Sequence, residues 1–317
     1  MKKYNLFLSL VALMSLASCK GQEVSSSIKE SSEVTSSSSS SVNLLGDPNV
    51  VDIVVLAGQS NMEGHTWINK LLQNTPSSMH DYYLNGFENT QIMYHCNGGA
   101  NKNEEFEPVK VGMGFDNTRF GPEVGIAQKL HEDGRVRPLY IVKYALGATN
   151  LYNDWSSPSK GSSNSLYYKM MYYLYEQIAF FEAQDLEVRI KGLFWMQGEA
   201  DSCQDGPTED YYDNLSLFVE DFRAEFEELY GDPERGIAFV DAGISDCDTW
   251  KNYEAVNAAK KEFAESDPTK NYYFDTMEEG LTYRLDNQDY FHFDALSEIK
   301  LGELFISKLL DNGWMDL

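Results

Sequence analysis

A serine hydroxyl becomes a useful nucleophile only when a neighbouring base takes its proton. Ser60 stands where such chemistry is easy to stage: it follows Gly58 and Gln59 just beyond a β-branched run over 50–57, at a strand-to-loop turn a substrate can approach closely. Five histidines are available as bases, His65, His80, His95, His131 and His292. Only His292 has a carboxylate three residues ahead of it. In a turn, Asp289 can reach the ring Nδ1, fix the tautomer and leave the other nitrogen to serve Ser60. An oxyanion formed at that serine needs donors. The backbone N–H groups of Ser60 and Gly147, with the Gln197 side chain, supply three. Each feature also has an ordinary explanation: Ser60 as a helix cap, Gly147 as a strand-end turn, Asp289 and His292 as a surface pair, Glu199 and Asp201 as solvated loop acids. The functional reading rests on their falling together at strand ends.

The elements that must position them alternate. Strands are expected over 50–57, 139–144, 190–196, 237–240 and 272–274. Helices are expected from Gly121-Pro122-Glu123 to about Leu130, over 165–183, through Tyr211, Leu215, Phe218, Phe222, Phe226 and Leu229 at helical spacing, over 250–264, and through Leu296, Ile299, Phe305 and Leu309. This alternation predicts an α/β fold: a three-layer α/β/α sandwich around a central, mostly parallel five-stranded sheet. Such sheets carry their sites beyond the carboxyl ends of the strands, where 58–62, 145–149 and 197–201 fall. The long polar and aromatic segment over 66–117 (Trp67, Tyr82, Tyr83, Phe87, Tyr94, Phe115) reads as a loop region, equally suited to facing sugars or to forming a satellite core.

Composition narrows the function. The chain of 317 residues carries 50 Asp and Glu against 25 Lys and Arg, a net charge of −25. That charge repels phosphate backbones and excludes general nucleic-acid binding. It also disfavours docking on anionic lipid through protein charge. Four cysteines in this length do not build a disulfide scaffold.

The residues quoted above resemble a known family. Leu56-Ala57-Gly58-Gln59-Ser60-Asn61-Met62, Trp195-Met196-Gln197-Gly198-Glu199-Ala200-Asp201 and Asp289-x-x-His292-Phe293-Asp294 look like the sialate O-acetylesterase-like domain, the group that includes carbohydrate esterase family six within the SGNH hydrolase superfamily. Gly121-Pro122-Glu123 and the segment from Lys143 to Gly147 occur in the matching order. The resemblance spans about residues 50–310. It implies hydrolysis of acetyl esters on sugars, with no cofactor and no metal. Ser60 is then the nucleophile, His292 the base and Asp289 its orienting acid, with Glu199 as an alternative or additional acid. Ser60, Gly147 and Gln197 fall at the oxyanion motifs, Gln197 standing where the superfamily usually has Asn. Gln59, Asn61, Glu199, Tyr152 and Trp155 are candidates to touch the substrate, an acetylated oligo- or polysaccharide such as acetylxylan or an O-acetyl sialoglycan. A broad SGNH esterase or lipase, and a non-catalytic glycan-binding protein on the same scaffold, are the alternatives.

The N-terminus reads as an address. Lys2 and Lys3 precede an apolar stretch over 6–17 that ends in Leu16-Ala17-Ser18-Cys19. This resembles a bacterial lipobox, which implies a signal peptide over 1–19 and lipid attachment at Cys19. Residues 20–45 are serine-rich and read as a flexible tether with a reach of roughly 30 Å. The expected esterase domain is 46–317, held at the bacterial cell surface through the lipid alone. Cys96, Cys203 and Cys247 remain; a Cys203–Cys247 bridge is one possibility, and an odd count leaves at least one thiol without an intramolecular partner.

Overall fold

The computed structural model describes residues 47–101, 105–283 and 289–316. The expected signal peptide, Cys19 and the tether lie outside the described residues. In chain order the elements are β1 (Val50–Gly58), α1 (Ser60–Glu63), β2 (Thr66–Trp67), α2 (Ile68–Asn74), α3 (His80–Asn85), β3 (Phe87–His95), β4 (Glu107–Val109), β5 (Arg119–Phe120), α4 (Glu123–Glu132), β6 (Leu139–Ala145), α5 (Leu166–Glu182), β7 (Glu187–Met196), α6 (Asp205–Glu209), α7 (Tyr211–Tyr230), β8 (Ala238–Ala242), α8 (Tyr253–Ser266), β9 (Asn271–Phe274) and α9 (Ala295–Asp311).

The sheet is seven-stranded in the order β4-β3-β6-β1-β7-β8-β9, parallel throughout except for β4. Helices α2, α4 and α9 cover one face, and α5, α7 and α8 the other. The three-layer α/β/α fold is as the alternation predicts. The strand count is not. The five expected strands are β1, β6, β7, β8 and β9, and the structure adds β3 and β4 from the segment read as loop. β3 hid because its sequence, Phe-Glu-Asn-Thr-Gln-Ile-Met-Tyr-His, keeps neither a clean alternation nor a continuous apolar run. It pairs with β6 from Thr90 to His95, and only Ile92, Met93 and Tyr94 form a continuous buried run. Tyr83, Phe87 and Tyr94 are consequently core residues rather than a sugar-facing wall.

β1 occupies the centre, flanked by β6 and β7. Every residue from Val51 to Gly58 is buried, which explains a run of Val, Ile and Leu with no polar alternation apart from Asp52. Asp52 is held at the far end of the strand by Arg135, 3.0 Å away. The carboxyl ends of β1, β6 and β7 converge, so the turns after Gly58, Ala145 and Met196 share one crevice. Gly58 is required there. Its φ is +147°, and a Cβ on it would lie 2.1 Å from the Met196 carbonyl oxygen of β7. The chain therefore leaves β1 pressed against its neighbour, and Gln59 N–H donates to that same carbonyl at 2.9 Å.

Candidate active site

Ser60 is the first residue of α1, the short turn of helix that follows β1. It is 8% exposed. Asn61, beside it, fixes the distant loop that carries His292. The Asn61 amide donates to the Phe291 carbonyl at 3.2 Å, and its Oδ1 accepts from Phe293 N–H at 3.3 Å. Both backbone neighbours of His292 are thus clamped to the residue next to Ser60. Thr66 adds a bond from its hydroxyl to the Phe293 carbonyl at 2.9 Å. Asp289 reaches His292 as the spacing predicts: Nδ1 lies 3.0 Å from Oδ2 and 3.2 Å from Oδ1, and Oδ1 also accepts the His292 backbone N–H.

Glu199 is placed differently from the triad alternative. Its Oε1 accepts from the Asn61 amide at 3.0 Å, and its hydrogen bond is to that side chain, not to His292. Burial raises the Glu199 carboxyl above its usual range, against the opposing pull of Lys260 and of the Asn61 bond. Lys260 itself is ion-paired with buried Asp241 at 2.6 Å. Asp201 is raised by burial as well. It organises the loop after β6 by accepting from Leu151 N–H at 2.8 Å and Tyr152 N–H at 3.0 Å.

Several expected roles need correction. Gln197 is fully buried, and its amide donates to Asp201 at 2.6 Å and to the Thr149 carbonyl at 3.0 Å. Those bonds occupy both amide hydrogens and leave none for an oxyanion. Gln59, Asn61 and Glu199 are at most 4% exposed, and the Asn61 amide donates to Glu199, so little of the three is open to a substrate. Trp155 is 0% exposed, packed edge-on against Trp195, with its indole N–H on Thr149. It belongs to the core; spacing after Gly147 alone did not reveal which way it points. Tyr152 keeps partial exposure, with the Lys160 ammonium 3.7 Å from its ring centre. Cys96, Cys203 and Cys247 are all free thiols. Cys96 is fully buried, and its thiol is pushed up to about 12.

Glu63 and His65 were not singled out from sequence. Glu63, fully buried, accepts from Asn97 N–H at 2.6 Å, from Gly147 N–H at 2.9 Å and from His65 Nε2 at 2.9 Å. The His65 ring stacks on His292 with centroids 4.4 Å apart and planes 10° off parallel. Its neighbour Phe115 lies 4.8 Å away. A methyl built on Gly147 would be 2.8 Å from Glu63 Oε2 and 3.5 Å from both the Ser60 Cβ and His65 Nε2, so Ser60, Glu63, His65 and Gly147 close around one point. The sequence signal for this pair is Glu63 two residues before His65.

Beneath the site, Lys143 of β6 is fully buried against Glu123 of α4 at 2.7 Å and donates to the Met113 carbonyl. Burial alone would lower the Lys143 ammonium, but Glu123 outweighs it and the net shift is upward. Glu123 also accepts Gly121 N–H at 2.9 Å, which gives the Gly-Pro-Glu motif a physical purpose. Among the described residues no group of three His, Cys, Asp or Glu is placed to hold a metal.

At the carboxyl edge of the parallel sheet, then, stand Ser60, the Asn61 clamp and the Asp289–His292 pair. The family model for carbohydrate esterase, sialic acid-specific acetylesterase (SASA) matches residues 50–311, and the chain belongs to that family. It is a carboxylic ester hydrolase of the carbohydrate esterase kind. Solved structures share the fold. A protein from Arabidopsis thaliana is 18% identical with a TM-score of 0.60, the match covering 82% of this chain and 98% of that one. NanS is 14% identical with a TM-score of 0.55, covering 83% and 98%. No curated protein matches the chain by sequence.

Proposed function

We propose that the protein removes acetyl groups from glycans through an acyl-enzyme on Ser60. The observation that carries this is the Asn61 clamp, which ties both neighbours of an Asp289-oriented His292 to the residue beside Ser60. His292 takes the Ser60 proton as Oγ attacks the acetyl carbonyl. The tetrahedral oxyanion is assigned to the Ser60 backbone N–H, with the Gly147 N–H beside it once Glu63 yields that bond. The sugar alcohol leaves with the proton from His292. Water, deprotonated by the same ring, then releases acetate and restores the serine. Acetate release from acetylated xylan, an O-acetyl sialoglycan and a chromogenic acetate ester tests the reading. Ser60→Ala should lose turnover on all three with its melting temperature unchanged. Retained activity in that variant removes the nucleophile assignment, and no release by folded wild type favours a glycan-binding role.

We also propose that the enzyme works at a bacterial cell surface, lipid-anchored at Cys19 through the serine-rich tether. The lipobox-like sequence over 16–19 supports this. In a bacterial host the full chain should sediment with membranes and Cys19→Ser should not. Equal partition of the two forms would sink the anchor.

A further inference from the structure

The segment 60–65 reaches His292 twice. The first reach is the Asn61 clamp on the backbone either side of the histidine. The second is His65, whose ring lies on the His292 ring with centroids 4.4 Å apart and planes 10° off parallel. Gly64 shapes the chain between the two. It turns there at φ +95°, and a Cβ on it would lie 2.5 Å from the Gly121 backbone nitrogen. Glu63 and His65, on either side of that turn, meet at 2.9 Å between Oε2 and Nε2.

The ring plane of His292 is loosely held by its other contacts. The Asn61 clamp acts on the backbone. Asp289 restrains one edge of the ring, and its two oxygens approach Nδ1 at 3.0 and 3.2 Å, an arrangement that tolerates a range of tilts. The bond that carries a histidine ring has a broad torsional preference of its own. A flat neighbour against the face restricts that rotation. His65 is fit for this because it is itself fixed. Glu63, which grips it, is buried and anchored by the Asn97 and Gly147 N–H groups from the loops after β3 and β6. Phe115 packs on the same ring at 4.8 Å. The surface on which His292 rests is therefore tied to several strand ends at once.

We propose that His65 is a positioning residue for the deacetylation: its ring, held by Glu63, sets the plane of the His292 imidazole and so the line along which the Ser60 proton travels. This rests on the Ser60–His292 reading and adds to it a residue that acts through His292 rather than on the substrate.

Two substitutions divide what His65 supplies. His65→Phe keeps a flat ring on His292 but gives Glu63 no donor. His65→Gln keeps a donor for Glu63 but no ring. If the ring is what matters, His65→Gln should lose about ten- to hundredfold in kcat with KM nearly unchanged, the scale of a misplaced catalytic group. His65→Phe should stay within about threefold of wild type in kcat. Stability should rank the other way, because His65→Phe takes a hydrogen bond from a buried carboxylate. Its melting temperature should fall below that of His65→Gln. A merely structural role would make activity follow stability.

The rate at which a fluorophosphonate labels Ser60 reads the same effect without an acetylated glycan. There Ser60 Oγ bonds to phosphorus, fluoride leaves and His292 takes the serine proton. Labelling should rank as kcat does. If folded wild type releases no acetate from any substrate but is labelled, and His65→Gln slows that labelling about tenfold or more, the acetyl-glycan reading fails and the role of His65 stands. The proposal is overturned if wild type is not labelled, if His65→Gln keeps both rates within about twofold of wild type, or if His65→Gln is active and a folded His65→Phe is not. Should His65→Phe fail to fold, the rates of His65→Gln decide alone.

Discussion

Glu63 holds three donors at once: a backbone N–H from the loop after β3, the Gly147 N–H from the loop after β6, and the His65 ring. None of this is visible in a spacing rule, because two of the three partners come from other strands. What spacing did reveal was local. Asp289 and His292 sit within one turn, and there the acid reaches the ring as expected. Glu199 could not be placed by the same logic, since its partner is Asn61, far away in sequence. Two substitutions separate the acids. Asp289→Asn should lower kcat by roughly 10³–10⁴-fold, the scale seen when a catalytic histidine loses its orienting carboxylate. Glu199→Gln keeps an oxygen for the Asn61 amide and should cost far less. It should also change the pH dependence of stability. Burial raises the folded-state Glu199 carboxyl above its ordinary 4.5, so wild type binds the extra proton when folded and loses stability as pH rises above that value. The variant lacks this loss. Its melting temperature relative to wild type should climb from pH 4 to pH 8. A relative melting temperature that stays flat would show that Lys260 already neutralises the burial cost.

At the scale of elements, the carboxyl edge of the sheet was legible because β1, β6 and the carboxyl half of β7 are mostly buried on both faces and mostly apolar, Asp52 and Lys143 apart. The helices were legible from spacing, although Leu229 and Leu296, counted on buried faces, prove 67% and 51% exposed. What spacing does not encode is how closely two helices approach. α4 and α9 touch backbone to backbone: a Cβ on Gly125 would lie 2.0 Å from the Ile299 carbonyl oxygen, and one on Gly302 would lie 2.0 Å from that of Pro122. This contact sets the position of α9, whose N-cap Asp294 follows His292 by two residues and accepts from Ser297 N–H at 2.9 Å. Gly302→Ala must push α9 away, because a carbonyl oxygen has no rotamer in which to retreat. Overpacking of this kind costs about 1–3 kcal/mol. Urea denaturation should show that loss, and kcat should fall more than KM rises, since the displacement moves His292 relative to Ser60. A loss of stability with kcat intact would mean that the Asn61 clamp alone holds the loop.

For the whole molecule, charge acts at two ranges that oppose one another. The chain carries −25 net, enough to repel an anionic glycan well before contact. A basic side chain such as Arg119, itself 3.7 Å from the Asp116 carboxylate, would act only at contact. Salt separates the two. The screening length falls from about 30 Å at 0.01 M to about 8 Å at 0.15 M, so added salt erases the long-range repulsion sooner than a short contact inside the site. Toward an acidic acetylated glycan, kcat/KM should therefore rise a few-fold on going from about 10 to about 150 mM NaCl, in the regime where electrostatic encounter rates respond to ionic strength. Toward a neutral acetylated xylo-oligosaccharide it should stay flat, because neither range acts on an uncharged substrate. Steady-state rates at the two salt concentrations, with both substrates, measure the difference directly. A fall with salt toward the acidic glycan would mean that local basic contacts outweigh the field of the rest of the chain. A rise shared by both substrates would point instead to salt acting on the enzyme itself.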